Sequence, residues 1–173
     1  MQKLLFIYLF SLCLAINKEN IYENSYALII GIDNYQNVPE LDYAVKDAVA
    51  VESMLIDKFQ FEQDNIRILK NEEATKTTII QEFSNITKKA GENDRVLIFF
   101  AGHGQTEDLP NGGEIGYLMP VNGDSDLYVS AIDMDELKKI SLRSEAKHIL
   151  YLVDACYGGL ASVGSRGLAQ TAP

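Results

Sequence analysis

Three short, almost unbroken apolar runs constrain this chain more than any other feature: Tyr26–Ile32, Arg95–Ala101 and His148–Val153. A strand with one face in water alternates apolar and polar residues. These runs do not, so each is expected to be covered on both faces, as in a parallel sheet flanked by helices. Segments of helical period lie between them. Leu41, Val45, Ala48, Leu55 and Phe59 predict an amphipathic helix over about residues 40–59, with Pro39 in its first turn. Ile79, Ile80, Phe83 and Ile86 predict a second, capped by Thr75 and stopped at Gly91. Short strands at 66–69 and 115–119, and a helix over 133–142 capped by Asp133, complete the pattern. The fold class expected is α/β, a three-layer sandwich with a largely parallel sheet.

In open sheets of this kind, chemistry gathers beyond the carboxyl ends of the strands. Two polar clusters stand there: Gly102-His103-Gly104, expected as the start of a Gly-rich loop, and Asp154-Ala155-Cys156-Tyr157-Gly158-Gly159. Neighbouring parallel strands would bring them together. A thiol attacks an amide well only as thiolate, and a nearby imidazole can take its proton. His103 and Cys156 are therefore the candidate catalytic pair, with the backbone N–H groups of Gly104 and Cys156 as candidate donors to an oxyanion. A lone histidine or cysteine is more often structural. Two such motifs at two strand ends are poorly explained by packing.

These motifs resemble a known family. Phe99-Phe100-Ala101-Gly102-His103-Gly104 together with Asp154-Ala155-Cys156-Tyr157-Gly158-Gly159 is similar to the catalytic large subunit of caspase-like cysteine peptidases, in the metacaspase and bacterial caspase-homologue branch. The resemblance runs from about Tyr26 to Gly159 and takes in Tyr117-Leu-Met-Pro120. It implies a caspase-like fold and a cysteine endopeptidase working through a Cys-His dyad on a protein or peptide substrate. Metacaspase-like enzymes carry an Asp two positions before the nucleophile, matching Asp154, and another in the first helix, matching Asp47. Two such carboxylates would select Arg or Lys before the scissile bond. Tyr157 stands where metacaspases often have His. The family continues into a small subunit, whereas this chain ends 17 residues after Cys156. That implies a small-subunit partner or a dimer, with the edge of the last strand left exposed to pairing. Arg166, in the Gly- and Ser-rich tail, is a candidate self-processing site.

The remaining readings bound the function. Twenty-five acidic against 15 basic residues give a net charge of −10, which disfavours nucleic acid. Lys3, the apolar run Leu4–Leu14 and Cys13-Leu14-Ala15 predict a signal peptide over 1–15 and hence a secreted or periplasmic protein. That run is too short for a stable membrane span. Cleavage would leave Cys156 as a single unpaired thiol. The expected organisation is a signal peptide at 1–15, a linker at 16–25, the catalytic domain at 26–159, and a linker or truncated end at 160–173. No metal-binding motif is present and no cofactor is required. Calcium as an activator is left open, with Asp124, Asp126, Asp133 and Asp135 nearby in sequence but showing no convergence. The competing reading is a non-catalytic caspase-like module used for binding or assembly.

Overall fold

The computed structural model describes residues 21–156. In chain order the main elements are β1 (Ser25–Gly31), α1 (Ala44–Phe59), β2 (Ile66–Lys70), α2 (Lys76–Lys89), β3 (Arg95–Asp108), β4 (Glu114–Leu118), β5 (Ile132–Asp133), α3 (Met134–Ser141) and β6 (His148–Cys156). The three apolar runs lie side by side. β1 pairs in parallel with β2 and β3, and β3 pairs in parallel with β6, giving the order β2-β1-β3-β6. Helices cover both faces of this sheet. Leu28, Ile30, Val96, Ile98 and Phe100 pack with Ile79, Phe83 and Ile86 of α2 and Leu137 of α3. Ala27, Ile29, Leu97, Phe99 and Ala101 pack with Ala44, Ala48 and Leu55 of α1. The alternation of strand side chains thus feeds two separate cores, which is why the runs carry no polar face.

Three expectations are corrected. The chain does not leave the sheet at Gly102. β3 runs on through Gly102-His103-Gly104 to Asp108, because β4 takes over as its antiparallel partner where β1 ends, and β5 extends this ribbon. The sheet is therefore mixed around a parallel four-stranded centre. Helix α1 begins at Ala44 rather than near residue 40, and Pro39 lies outside it. Its free N–H groups are taken by a residue from the loop after β1: Asp33 accepts from the amides of Ala44 at 2.7 Å and Val45 at 3.3 Å. Phe59, placed on the buried face by its period, is 49% exposed at the helix end.

The other caps form as expected. Thr75 accepts from the Thr78 amide, and Asp133 accepts from that of Asp135. Residues 21–25, expected as part of a linker, are already attached. Glu23 N–H donates to Asn93 O, and the Asn24 N–H donates to the carboxylate of buried Asp94. No helix among the described residues is long and apolar enough to cross a membrane. The expected signal peptide at 1–15, Tyr157, Arg166 and the tail at 160–173 lie outside the described residues.

Candidate active site

The parallel pairing of β3 with β6 runs from Arg95 opposite His148 to His103 opposite Cys156. Hydrogen-bonded strands are about 4.8 Å apart. The two motif residues are thus backbone neighbours at the carboxyl end of the sheet, although far apart in sequence.

His103 is held from several directions. Its Nε2 lies 2.9 Å from the carbonyl oxygen of Pro39. A carbonyl only accepts, so Nε2 carries the proton in that bond, and in the neutral ring Nδ1 keeps its lone pair. The His103 N–H donates to the Tyr35 hydroxyl at 2.8 Å, and its C=O accepts from the Met119 N–H at 2.9 Å. The Tyr35 and His103 rings lie 4.9 Å apart between centroids, tilted by 50°. A Cβ on Gly102 would collide with the Tyr35 hydroxyl oxygen, so only glycine leaves room for this contact. Burial, first, and the charge of Asp33 push the Tyr35 hydroxyl above its ordinary pKa, while its bond from the His103 amide pulls the other way. The phenol stays neutral.

Gly104 is buried opposite Leu118 of β4. Successive strand amides point to opposite sides of a strand. Met119 already bonds His103, so the Gly104 N–H is directed away from β4, to the side that β6 occupies.

The two expected pocket acids are both exposed. Asp154 stands opposite Ala101 in the parallel register, and Ala101 belongs to the core beneath α1. Asp47 lies in the first turn of α1. Both carboxylates therefore belong to the α1 side of the sheet, and no ion pair engages either among the described residues. Of the four acids considered for calcium, two accept from backbone amides two residues on. Asp124 accepts from the Asp126 amide at 2.9 Å and Asp133 from the Asp135 amide at 2.7 Å. No group of three or more His, Cys, Asp or Glu arranged to hold a metal occurs among the described residues.

Among the cavities that lie away from these residues, two border strands of the sheet. One of about 460 Å³, lined by Tyr22, Ser25, Lys58 and Arg95, opens at the amino ends of the strands, the pole opposite the paired motifs. Another of about 240 Å³ is apolar, lined by Met54, Phe59, Leu150 and Leu152 on the α1 face of β6. Sequence reasoning missed Tyr35, Pro39 and Asp33. Position alone could have flagged them, since all three follow the carboxyl end of β1.

A mixed α/β sandwich whose adjoining strands carry Gly-His-Gly and Asp-Ala-Cys at one end defines a class of cysteine peptidase folds. The family model described as the caspase domain matches residues 24–172, and the chain belongs to that family. Metacaspases are among its relatives. Metacaspase-1 of Eremothecium gossypii is 28% identical over 150 residues, covering 80% of this chain and 32% of that protein. Metacaspase-1B of Neurospora crassa is 27% identical over 144 residues, covering 78% and 34%. Metacaspase-1 of Saccharomyces cerevisiae is 29% identical over 145 residues, covering 77% and 33%. The chain thus spans about a third of the length of the relatives it matches. A crystal structure of a Geobacter sulfurreducens protein has the same fold, with a TM-score of 0.65 at 19% identity over 80% of this chain and 52% of that one.

Proposed function

We propose that this chain carries the catalytic pair of a cysteine endopeptidase, with Cys156 as nucleophile and His103 as base. The observation that carries the reading is the bond from His103 Nε2 to Pro39 O, beside a strand register that sets His103 against Cys156. With Nε2 protonated, Nδ1 is the nitrogen that takes the thiol proton. The sulfur then bonds to the substrate carbonyl carbon while its oxygen takes up negative charge. The amides of Gly104 and Cys156 are the donors assigned to that charge. The imidazolium returns its proton to the amide nitrogen as the C–N bond breaks. Water, deprotonated by the same ring, hydrolyses the thioester and frees the thiol.

Asp154 and Asp47 are assigned to the recognition of Arg or Lys before the scissile bond, by charge pairing that is bidentate for Arg. The open apolar face at Leu150 and Leu152 is assigned to the small half that would complete the substrate cleft. A binding module without catalysis is the second reading, favoured by that same uncovered face.

The test is hydrolysis of fluorogenic Arg, Lys and Asp peptides by the 173-residue chain and its Cys156→Ala variant, with and without calcium. Cleavage after Arg or Lys that disappears in the variant is the expected result. Equal rates in the two proteins would remove Cys156 as nucleophile, and cleavage mainly after Asp would remove the acidic pocket. Asp154→Asn should lower kcat/KM on Arg peptides about tenfold. Export is assigned to residues 1–15 and self-processing to Arg166. N-terminal sequencing of the mature protein and the size of an Arg166→Ala product test them.

A further inference from the structure

We propose that Tyr35, in the loop after β1, is a positioning residue for His103. The inference rests on the reading of His103 as base and adds to it a residue that has no part in the chemistry itself.

Tyr35 grips His103 at two points. Its hydroxyl takes the main-chain N–H, and its ring lies against the imidazole. Pro39, four residues on, takes the far nitrogen of the same ring. One short loop therefore sets both the height of the His103 backbone and the rotation of its imidazole. Without the hydroxyl the His103 amide has no acceptor there, and the strand is free to shift at the residue whose ring must face the thiol. A shift of about 1 Å at a reacting group costs up to 10²-fold in rate.

The loop is itself rigidly seated. Asn71 accepts from the amides of Asp33 and Asn34, and the Gln36 N–H donates to Val121 O. The Asn37 side chain donates to Gly123 O, and the Asp33 carboxylate closes the start of α1. Gly102 is the other half of the device, because any side chain there would displace the hydroxyl.

The experiment compares the 173-residue chain with Tyr35→Phe, Gly102→Ala and the double variant. Tyr35→Phe keeps the ring and removes the bond. It should lower kcat between about 10- and 100-fold while KM stays within about twofold. Gly102→Ala should do at least as much on its own, and should cost less in the Tyr35→Phe background, where the obstructing oxygen is gone. The chain has two histidines, so nitrogen-15 NMR resolves the His103 imidazole once His148→Gln assigns the other. The neutral wild-type ring should show one tautomer, protonated on Nε2, and Tyr35→Phe should show a mixture.

Unchanged kcat and an unchanged tautomer in Tyr35→Phe would overturn the proposal, as would fully multiplicative effects of the two substitutions. Equal losses in kcat and thermal stability with the tautomer intact would reduce Tyr35 to a structural residue and also overturn it. Should the wild-type chain hydrolyse no peptide, the NMR arm decides by itself whether Tyr35 holds His103, apart from the peptidase reading.

Discussion

As far as His103, strand β3 has β6 on one side and β1, then the start of the β4 ribbon, on the other, whereas β6 has β3 alone among the described residues. The contrast extends to their side chains. On one face of β6, Ile149, Tyr151, Val153 and Ala155 pack onto the core built with α2 and α3. On the other, Leu150 is 51% and Leu152 38% exposed, next to exposed Met54 and Phe59. His103, the proposed base, therefore sits where β3 is held on both flanks, and Cys156, the proposed nucleophile, at the end of a half-covered strand. Orienting an imidazole needs a rigid setting, which this chain supplies by itself. A substrate cleft needs a second wall, and the open apolar face is the seat proposed above for one.

Four outcomes would sharpen or break that contrast. The largest concerns the pair itself. Cys156→Ala and His103→Ala should each lower kcat by at least about 10³-fold, and the double variant should be no worse than either, since they act as one unit. Independent effects, read in the peptide assay, would separate the two strands functionally. Next is the finished face: Phe83→Ala removes a ring that is 0% exposed and should cost about 3–5 kcal/mol in chemical denaturation. A loss below about 1 kcal/mol would mean that this face is loosely packed. Asp33→Ala should cost about 0.5–2 kcal/mol through the lost helix cap, with a corresponding drop in Tm. Smallest is the open face, where Leu152→Ser should change stability by no more than about 0.5 kcal/mol and reduce self-association in sedimentation. A large destabilisation there would show that the face is already covered.

The parts of the molecule legible in the sequence were those set by local pattern. Continuous apolar runs gave β1, β3 and β6, and helical spacing gave α2 and its Thr75 cap. His103 and Cys156 could be paired because parallel strands align their carboxyl ends. Where partners come from afar, the pattern misled. Pro39 carries the local mark of a helix start, yet α1 is capped by Asp33, eleven residues before Ala44, and the proline's carbonyl serves His103 instead. The two glycines around His103 look like a chain break, but β4 offers a ladder that keeps the strand going. Tyr35 reads as one more loop aromatic. Its role depends on a gap beside Gly102, which exists only once β3 and the loop are assembled.

The winding order of the sheet has a consequence for that gap. From β1 the chain moves outward to β2, then returns across β1 to lay down β3 on its other flank. β1 ends beside Ala101, and β4 takes its place beside β3 from Gly104 on, so one neighbour of β3 gives way to the other across Gly102 and His103. The loop that leaves β1 carries Tyr35 to that change of neighbours, where its hydroxyl meets the His103 amide. The imidazole thus stands at the handover between two partners of one strand, a place set by the order of the strands.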